Sequence, residues 1–196
     1  MYKFLFLPVF LFAITCSQDR EQEGDRYLLK GDYQLAVAAY NDFLKSNRGN
    51  IQLFYNRGRA YEELGAYEKS LADYKKALKL NPKYVKAHLG TAKVYYDKGK
   101  YQKALLSADK ATILDSNSSL GFFLSARSKH HLGYFPSALE DYNATLQIDD
   151  GFGEAYLYRG ALKILMGTPD QACEDFNQAK NLEIEKAAVA LKTYCN

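Results

Sequence analysis

Residues Ile51 to Tyr84 read IQLFYNRGRAYEELGAYEKSLADYKKALKLNPKY, and the rest of the chain is a set of variations on this stretch. Set in its register, Ser17 to Lys186 divides without insertion or deletion into five units: 17–50, 51–84, 85–118, 119–152 and 153–186. Within 51–84, Phe54, Gly58 and Tyr61 recur at helical spacing and mark the buried stripe of a first helix, called helix A. Gly65 ends that helix, because glycine accepts the left-handed conformation needed just past a C-terminus. Tyr67, Ser70, Tyr74 and Ala77 mark a second helix, helix B. Pro82 sits in the turn to the next unit, where its missing N–H costs nothing. A period of 34 with aromatic, Gly and Ala landmarks is the signature of stacked helix pairs, so the sequence predicts an all-α fold.

The sibling units keep the small residues for a packing reason. Gly24, Gly58, Ala92, Ala126 and Gly160 hold one position on helix A, and Ala36, Ser70, Ala104, Ala138 and Ala172 hold one on helix B. Small side chains at both places let the two helices approach closely while aromatics fill the space beside the crossing. Lys129 and Lys163 stand where Tyr61 and Tyr95 stand in their units, which predicts a thinner core there. Thr168 and Gln171 read as a capping box for the last helix B. Ala187 to Tyr194, within the segment 187–196, predicts a final helix that covers the open apolar end.

These landmarks resemble the tetratricopeptide repeat family over nearly the whole chain beyond residue 16. The resemblance implies a right-handed superhelical solenoid of five helix pairs plus a C-terminal capping helix. It further implies a non-catalytic scaffold that binds a protein or peptide in a concave groove lined mainly by helix A. Carried over residue by residue, the inward-pointing side chains include Tyr55, Arg59, Glu62, Lys86, Lys93, Tyr96, Phe123, Arg127, His130 and Tyr158. Arg59, Lys93 and Arg127 hold one position in consecutive units and would form a basic ladder. A cationic, aromatic-lined groove suits an extended peptide bearing carboxylates. A solvated basic position is the competing reading, and a glycan or small-ligand binder that uses the groove aromatics is the alternative function. Some family members clamp a terminal carboxylate with Lys, Asn and Arg. Asn56 and Lys86 match two such positions, but Glu21, Asp25 and Gly90 stand where the others are needed, so the chain departs from that clamp.

Charge pairs follow the repeat. Arg57 and Asp73 share one unit, and Arg159 and Asp175 share another at the same two positions. The third unit has Thr91 and Ser107 instead, and the fourth keeps Asp141 opposite Ser125. Charge on one helix largely tracks charge on its partner, which predicts structural ion pairs between helices A and B.

The chain has 196 residues, 25% charged and 47% hydrophobic, with a net charge of +3. The two signs are interspersed, which argues against a nucleic-acid partner. None of Cys16, Cys173 and Cys195 sits in a CxxC or at zinc-ligand spacing, so no metal or cofactor is expected. Antiparallel packing about the last turn would bring Cys173 and Cys195 together, either as a disulfide or as two buried thiols. His130 and His131 are neighbours on one helix and diverge by about 100°, poorly placed to share a metal. No Ser-His-Asp grouping, nucleophile elbow or phosphate loop appears, so no enzymatic activity is expected.

At the N-terminus, Lys3 precedes an apolar run, Phe4 to Ile14, that is too short to span a bilayer comfortably and reads as an export signal over residues 1–15. The run ends in Ala13-Ile14-Thr15-Cys16, which resembles a bacterial lipoprotein signal with Cys16 acylated. Ala13 and Thr15 depart from the usual residues of that pattern, and an ordinary cleaved signal is the other reading. The resemblance implies palmitate-type anchoring, a polar tether over 16–26, and an outer-membrane location facing the periplasm.

Overall fold

The protein is described by a computed structural model over residues 22–195. The expected signal segment, Cys16 and the tether as far as residue 21 lie outside the described residues. All regular structure among the described residues is helical: α1 (22–30), α2 (Tyr33–Ser46), α3 (Ile51–Glu63), α4 (Tyr67–Leu80), α5 (Val85–Asp97), α6 (Tyr101–Leu114), α7 (Ser119–His131), α8 (Phe135–Ile148), α9 (Gly153–Leu165), α10 (Pro169–Asn181) and α11 (Glu185–Tyr194). Helices of type A begin at Ile51, Val85, Ser119 and Gly153, and those of type B at Tyr33, Tyr67, Tyr101, Phe135 and Pro169. Both series keep the 34-residue step of the sequence.

Each A-to-B turn is made the same way. Gly31, Gly65, Gly99, Gly133 and Gly167 all have φ between +67° and +81°, a region that costs a side chain its Cβ clearance. After α3, the Gly65 N–H donates to the Glu62 carbonyl at 2.8 Å and the Ala66 N–H donates to the Tyr61 carbonyl at 2.8 Å. The open carbonyls of the helix end are thereby satisfied.

The chain divides into two compact units at Ala87/His88. In the first, Tyr40 and Tyr74 are fully buried with Ala36, Leu53, Ala60 and Ala77. A β-carbon on Gly24 would stand 2.6 Å from the Tyr40 ring, and one on Gly58 would stand 2.7 Å from the Tyr74 ring. Each helix B aromatic thus lies directly on the helix A backbone. In the second unit Gly160 and Phe176 repeat this arrangement at 2.6 Å. Ala126 and Tyr142 share a buried cluster with Phe123, Leu146 and Leu162.

The end of the chain differs from expectation in two details. The capping helix begins at Glu185, two residues before the expected Ala187. Glu183 takes φ +61°, and the Ile184 N–H donates to the Ala179 carbonyl at 2.9 Å. The turn is therefore the tight kind used after helix A. Ala187 then packs with Leu157, Phe176 and Ala179. Second, Thr168 makes no capping bond to α10; its hydroxyl donates to the Lys163 carbonyl at 3.2 Å. With Gly167 already left-handed, the turn aims the hydroxyl back at the open carbonyls of α9. Among the described residues, no helix is long and apolar enough to cross a membrane.

Candidate functional site

The polar groups between helices fall into those that complete the scaffold and those that do not. Arg57 on α3 donates from Nε and Nη2 to the two carboxylate oxygens of Asp73 on α4, both at 2.7 Å. Its Nη1 donates to Asn41 Oδ1 on α2 at 2.6 Å. Arg159 on α9 repeats this with Asp175 on α10 at 3.0 and 2.6 Å, and with Asn143 on α8 at 2.8 Å. Each guanidinium is used along its whole edge and ties three helices together. The Asn partners were not singled out from the sequence. Their signal is an Asn sixteen residues before each of these two arginines. In the fourth repeat Ser125 replaces the arginine and donates to Asp141 at 2.6 Å. Lys129 supplies the charge, with Nζ 2.6 Å from the same carboxylate. Lys163 likewise reaches Asp175 at 2.9 Å. The two lysines that replace tyrosines therefore serve as counterions rather than simply thinning the core.

On the helix A face of the first unit the polar groups close on themselves. The Tyr40 hydroxyl donates to Asp25 Oδ1 at 2.6 Å, and Asn56 Nδ2 donates to the same oxygen at 2.8 Å. Gln52 donates to Asn56 Oδ1 at 2.8 Å, and the Tyr84 hydroxyl donates to Gln52 at 2.7 Å. Tyr74 donates to Glu62 Oε2 at 2.6 Å. Burial, reinforced by the carboxylate partner, raises the Tyr40 and Tyr74 phenols far above their ordinary value. Both therefore stay protonated and remain donors. Glu62, expected to face a groove, is buried beneath this bond. Asn56, one of the two clamp-like residues, is taken up by Asp25. What remains outward is Arg59, exposed with its guanidinium 6.0 Å over the Tyr55 ring, and Lys86, also exposed. Tyr55 is half-buried between Tyr74 and Tyr84, with ring centroids at 5.8 and 5.6 Å.

The second unit handles its cation differently. The Arg127 guanidinium carbon lies 4.2 Å from the Tyr96 ring centroid, 4.4 Å from that of Tyr158 and 5.6 Å from that of Phe123. Its Nη2 donates to the Tyr158 hydroxyl at 3.3 Å. Its Nε–H is buried and has no acceptor, and the buried Tyr142 hydroxyl has no partner either. Two expected groove residues are corrected here: Phe123 is 4% exposed and Tyr96 is 9% exposed. Phe123 is held inside by Phe152, 4.6 Å away between ring centroids, and by Tyr142. These rings serve as the walls of the Arg127 site rather than as open contact surface. Tyr158 is half-buried. Lys93 is exposed, 3.9 Å from the Asp97 carboxylate of its own helix. The three cations of the expected ladder thus have three different surroundings.

His131 stacks on Tyr101 at 4.3 Å and meets Tyr96 edge-on at 5.4 Å. His130 stands edge-on to Phe135 and Tyr142, at 5.9 and 6.4 Å. Burial lowers both imidazole pKa values, and the Arg127 charge lowers them further. Cys173 and Cys195 form a disulfide with Cα atoms 5.7 Å apart, tying α11 to α10. Among the described residues, no three His, Cys, Asp or Glu side chains converge as a metal site would.

Residues 58–99 match the sequence model of the TPR repeat. Over that segment the chain is similar to the TPR repeat. Its fold is that of solved TPR structures. MamA superimposes with a TM-score of 0.72 at 22% identity, over 94% of this chain and 99% of that one. TTC0263, a thermophilic TPR protein of Thermus thermophilus, gives 0.72 at 19% identity, over 89% and 99%. YrrB, described as a TPR protein with an unusual peptide-binding site, gives 0.70 at 17% identity, over 93% and 98%. At these identities the likeness is one of fold. No curated protein sequence matches the chain.

Proposed function

We propose that this tetratricopeptide-repeat chain is a non-catalytic scaffold that holds a protein or peptide partner against the helix A side chains of its repeats. The observation that carries the reading is the sorting of its cations. All four arginines lie over tyrosine rings, but Arg57 and Arg159 are also paired with Asp73 and Asp175, whereas no carboxylate pairs with Arg59 or Arg127 among the described residues. Cations and aromatics that the helix packing does not need are what a peptide-binding face requires. The fold shared with YrrB supports the same class of ligand. A sugar platform is less well served. Tyr96 and Tyr158 both rest on Arg127, and the Phe123 and Tyr158 rings are tilted by 55°, so they offer no shared flat surface.

The scaffold works at a bacterial envelope membrane, anchored through acylated Cys16 on the outer membrane and facing the periplasm. The lipoprotein-like end of the apolar run supports this. So does the Cys173–Cys195 disulfide, which suits an oxidising compartment. Two experiments test the reading. Palmitate labelling should disappear in Cys16→Ser, and unchanged labelling removes the anchor. A stoichiometric partner recovered with the anchored protein should be lost on Arg59→Glu with Lys93→Glu and kept on Arg57→Ala. Equal loss from both variants removes the helix A face as the binding surface.

A further inference from the structure

Arg57 and Arg159 show what this chain does with a guanidinium when a carboxylate is available. Both present the Nε–Nη2 edge, and both receive the two oxygens of a single carboxylate on it. Arg127 presents the same edge with no carboxylate. Its Nε–H has no acceptor, its Nη2 has one long bond to the Tyr158 hydroxyl, and no acidic group pairs with it among the described residues. The charged and titratable groups beside it are His130, His131, Tyr96, Tyr142 and Tyr158, none of them a carboxylate.

Two tyrosine rings meanwhile lie against the guanidinium. Tyr96 and Tyr158 cover it at 4.2 and 4.4 Å. Stacking of this kind fixes the plane of the group and leaves only its edge for hydrogen bonding. A buried donor without an acceptor is costly, and the buried Tyr142 hydroxyl adds a second such group. Charge-assisted bidentate bonds to a carboxylate are the strongest way to satisfy a pre-oriented fork.

We propose that the Nε–Nη2 edge of Arg127 receives the side-chain carboxylate of an Asp or Glu on the bound peptide, which displaces the weakly held Tyr158 hydroxyl. An internal acidic side chain is the source that lets an extended peptide continue past this point on either side. The proposal rests on the peptide-binding reading above and names which residue of the peptide is recognised, and by what.

The test is selection from a random peptide display library on the immobilised full chain, with wild type, Arg127→Gln and Arg127→Lys compared. Wild type should enrich peptides with Asp or Glu at one fixed internal position. Arg127→Gln should erase the preference at that position, and Arg127→Lys, which has charge but no fork, should weaken it. A synthetic peptide from the selection should lose affinity by about tenfold or more when its acid becomes the amide, the loss expected for one charged hydrogen-bonded contact. The same change should cost nothing further on Arg127→Gln. Tyr158→Phe, which keeps the ring and removes the competing hydroxyl, should bind that peptide at least as tightly as wild type. Thermal melts by circular dichroism establish that the variants are folded; if Arg127→Gln is not, the Lys variant decides. Enriched peptides with no acidic preference, or a preference that survives Arg127→Gln, overturn this proposal and leave peptide binding standing. A preference satisfied only by the peptide's terminal carboxylate also overturns it. If no peptide is enriched at all, both readings fall.

Discussion

Tyr40 and Tyr74 in the first unit and Tyr142 in the second occupy one repeat position, and all three rings are fully buried. Their hydroxyls end differently. Tyr40 donates to Asp25, which also accepts from Asn56, and Tyr74 donates to Glu62. Tyr142 donates to nothing, beside an arginine that also lacks an acid. The helical frame is the same, so the difference lies in the polar side chains of helix A. Where an acid is built into the repeat, the surface closes on itself and contributes to stability. Where it is missing, buried donors remain without a partner among the described side chains. In a repeat protein, the places where internal pairing fails are therefore the ones to examine for recognition.

The largest expected effect lies in the closed network. Asp73→Ala leaves the Arg57 guanidinium without its buried partner and should lower the unfolding free energy by about 3–5 kcal/mol. Denaturant titration measures it, and a loss below about 1 kcal/mol, the range of an exposed pair, would show that the Arg–Asp tie does not hold the first unit together. At the other end of the chain, reducing the Cys173–Cys195 disulfide should cost about 2–4 kcal/mol by freeing α11; Cys173→Ser with Cys195→Ser should melt like the reduced protein.

The tyrosine contrast gives a sharper test at smaller scale. Tyr74→Phe removes a bond to a carboxylate and should cost about 1.5–3 kcal/mol. Tyr142→Phe removes a buried hydroxyl that has no partner and should leave stability unchanged or raise it by up to about 1–3 kcal/mol. Similar losses for both would mean that the two units do not differ in the way described. The smallest effect is a pH dependence. The folded state holds His130 below its ordinary pKa, chiefly by burial, with the charges of His131 and Arg127 adding to it. Its contribution is complete above the unfolded value of about 6.5 and is lost as pH falls through the lower folded value. Melting temperature should decline on that acid side, and His130→Gln should flatten the decline. An unchanged slope would place its origin elsewhere.

Much of this was legible beforehand, because a helix pair repeated every 34 residues reports its turns and its buried stripe directly. The glycine stops and the Arg57–Asp73 and Arg159–Asp175 ties follow from residues within one unit. The fate of Arg127 did not follow, because its two stacking partners, Tyr96 and Tyr158, lie 31 residues away on either side, and Tyr158 occupies a repeat position where its siblings are Asn56, Gly90 and Leu124. Repeat spacing groups Arg127 with Arg59 and Lys93, whereas its chemistry is set by neighbouring units that do not repeat. Phe123 was misread for the same reason. Its equivalent Tyr55 is half-buried, but Phe152 encloses Phe123.

The division of labour among the arginines is tested most directly by titrating one selected acidic peptide into Arg57→Gln and Arg127→Gln, both held under conditions where each is folded. The account predicts wild-type affinity for Arg57→Gln and a loss of about tenfold or more for Arg127→Gln. Equal loss in both variants, or loss in Arg57→Gln alone, would contradict it.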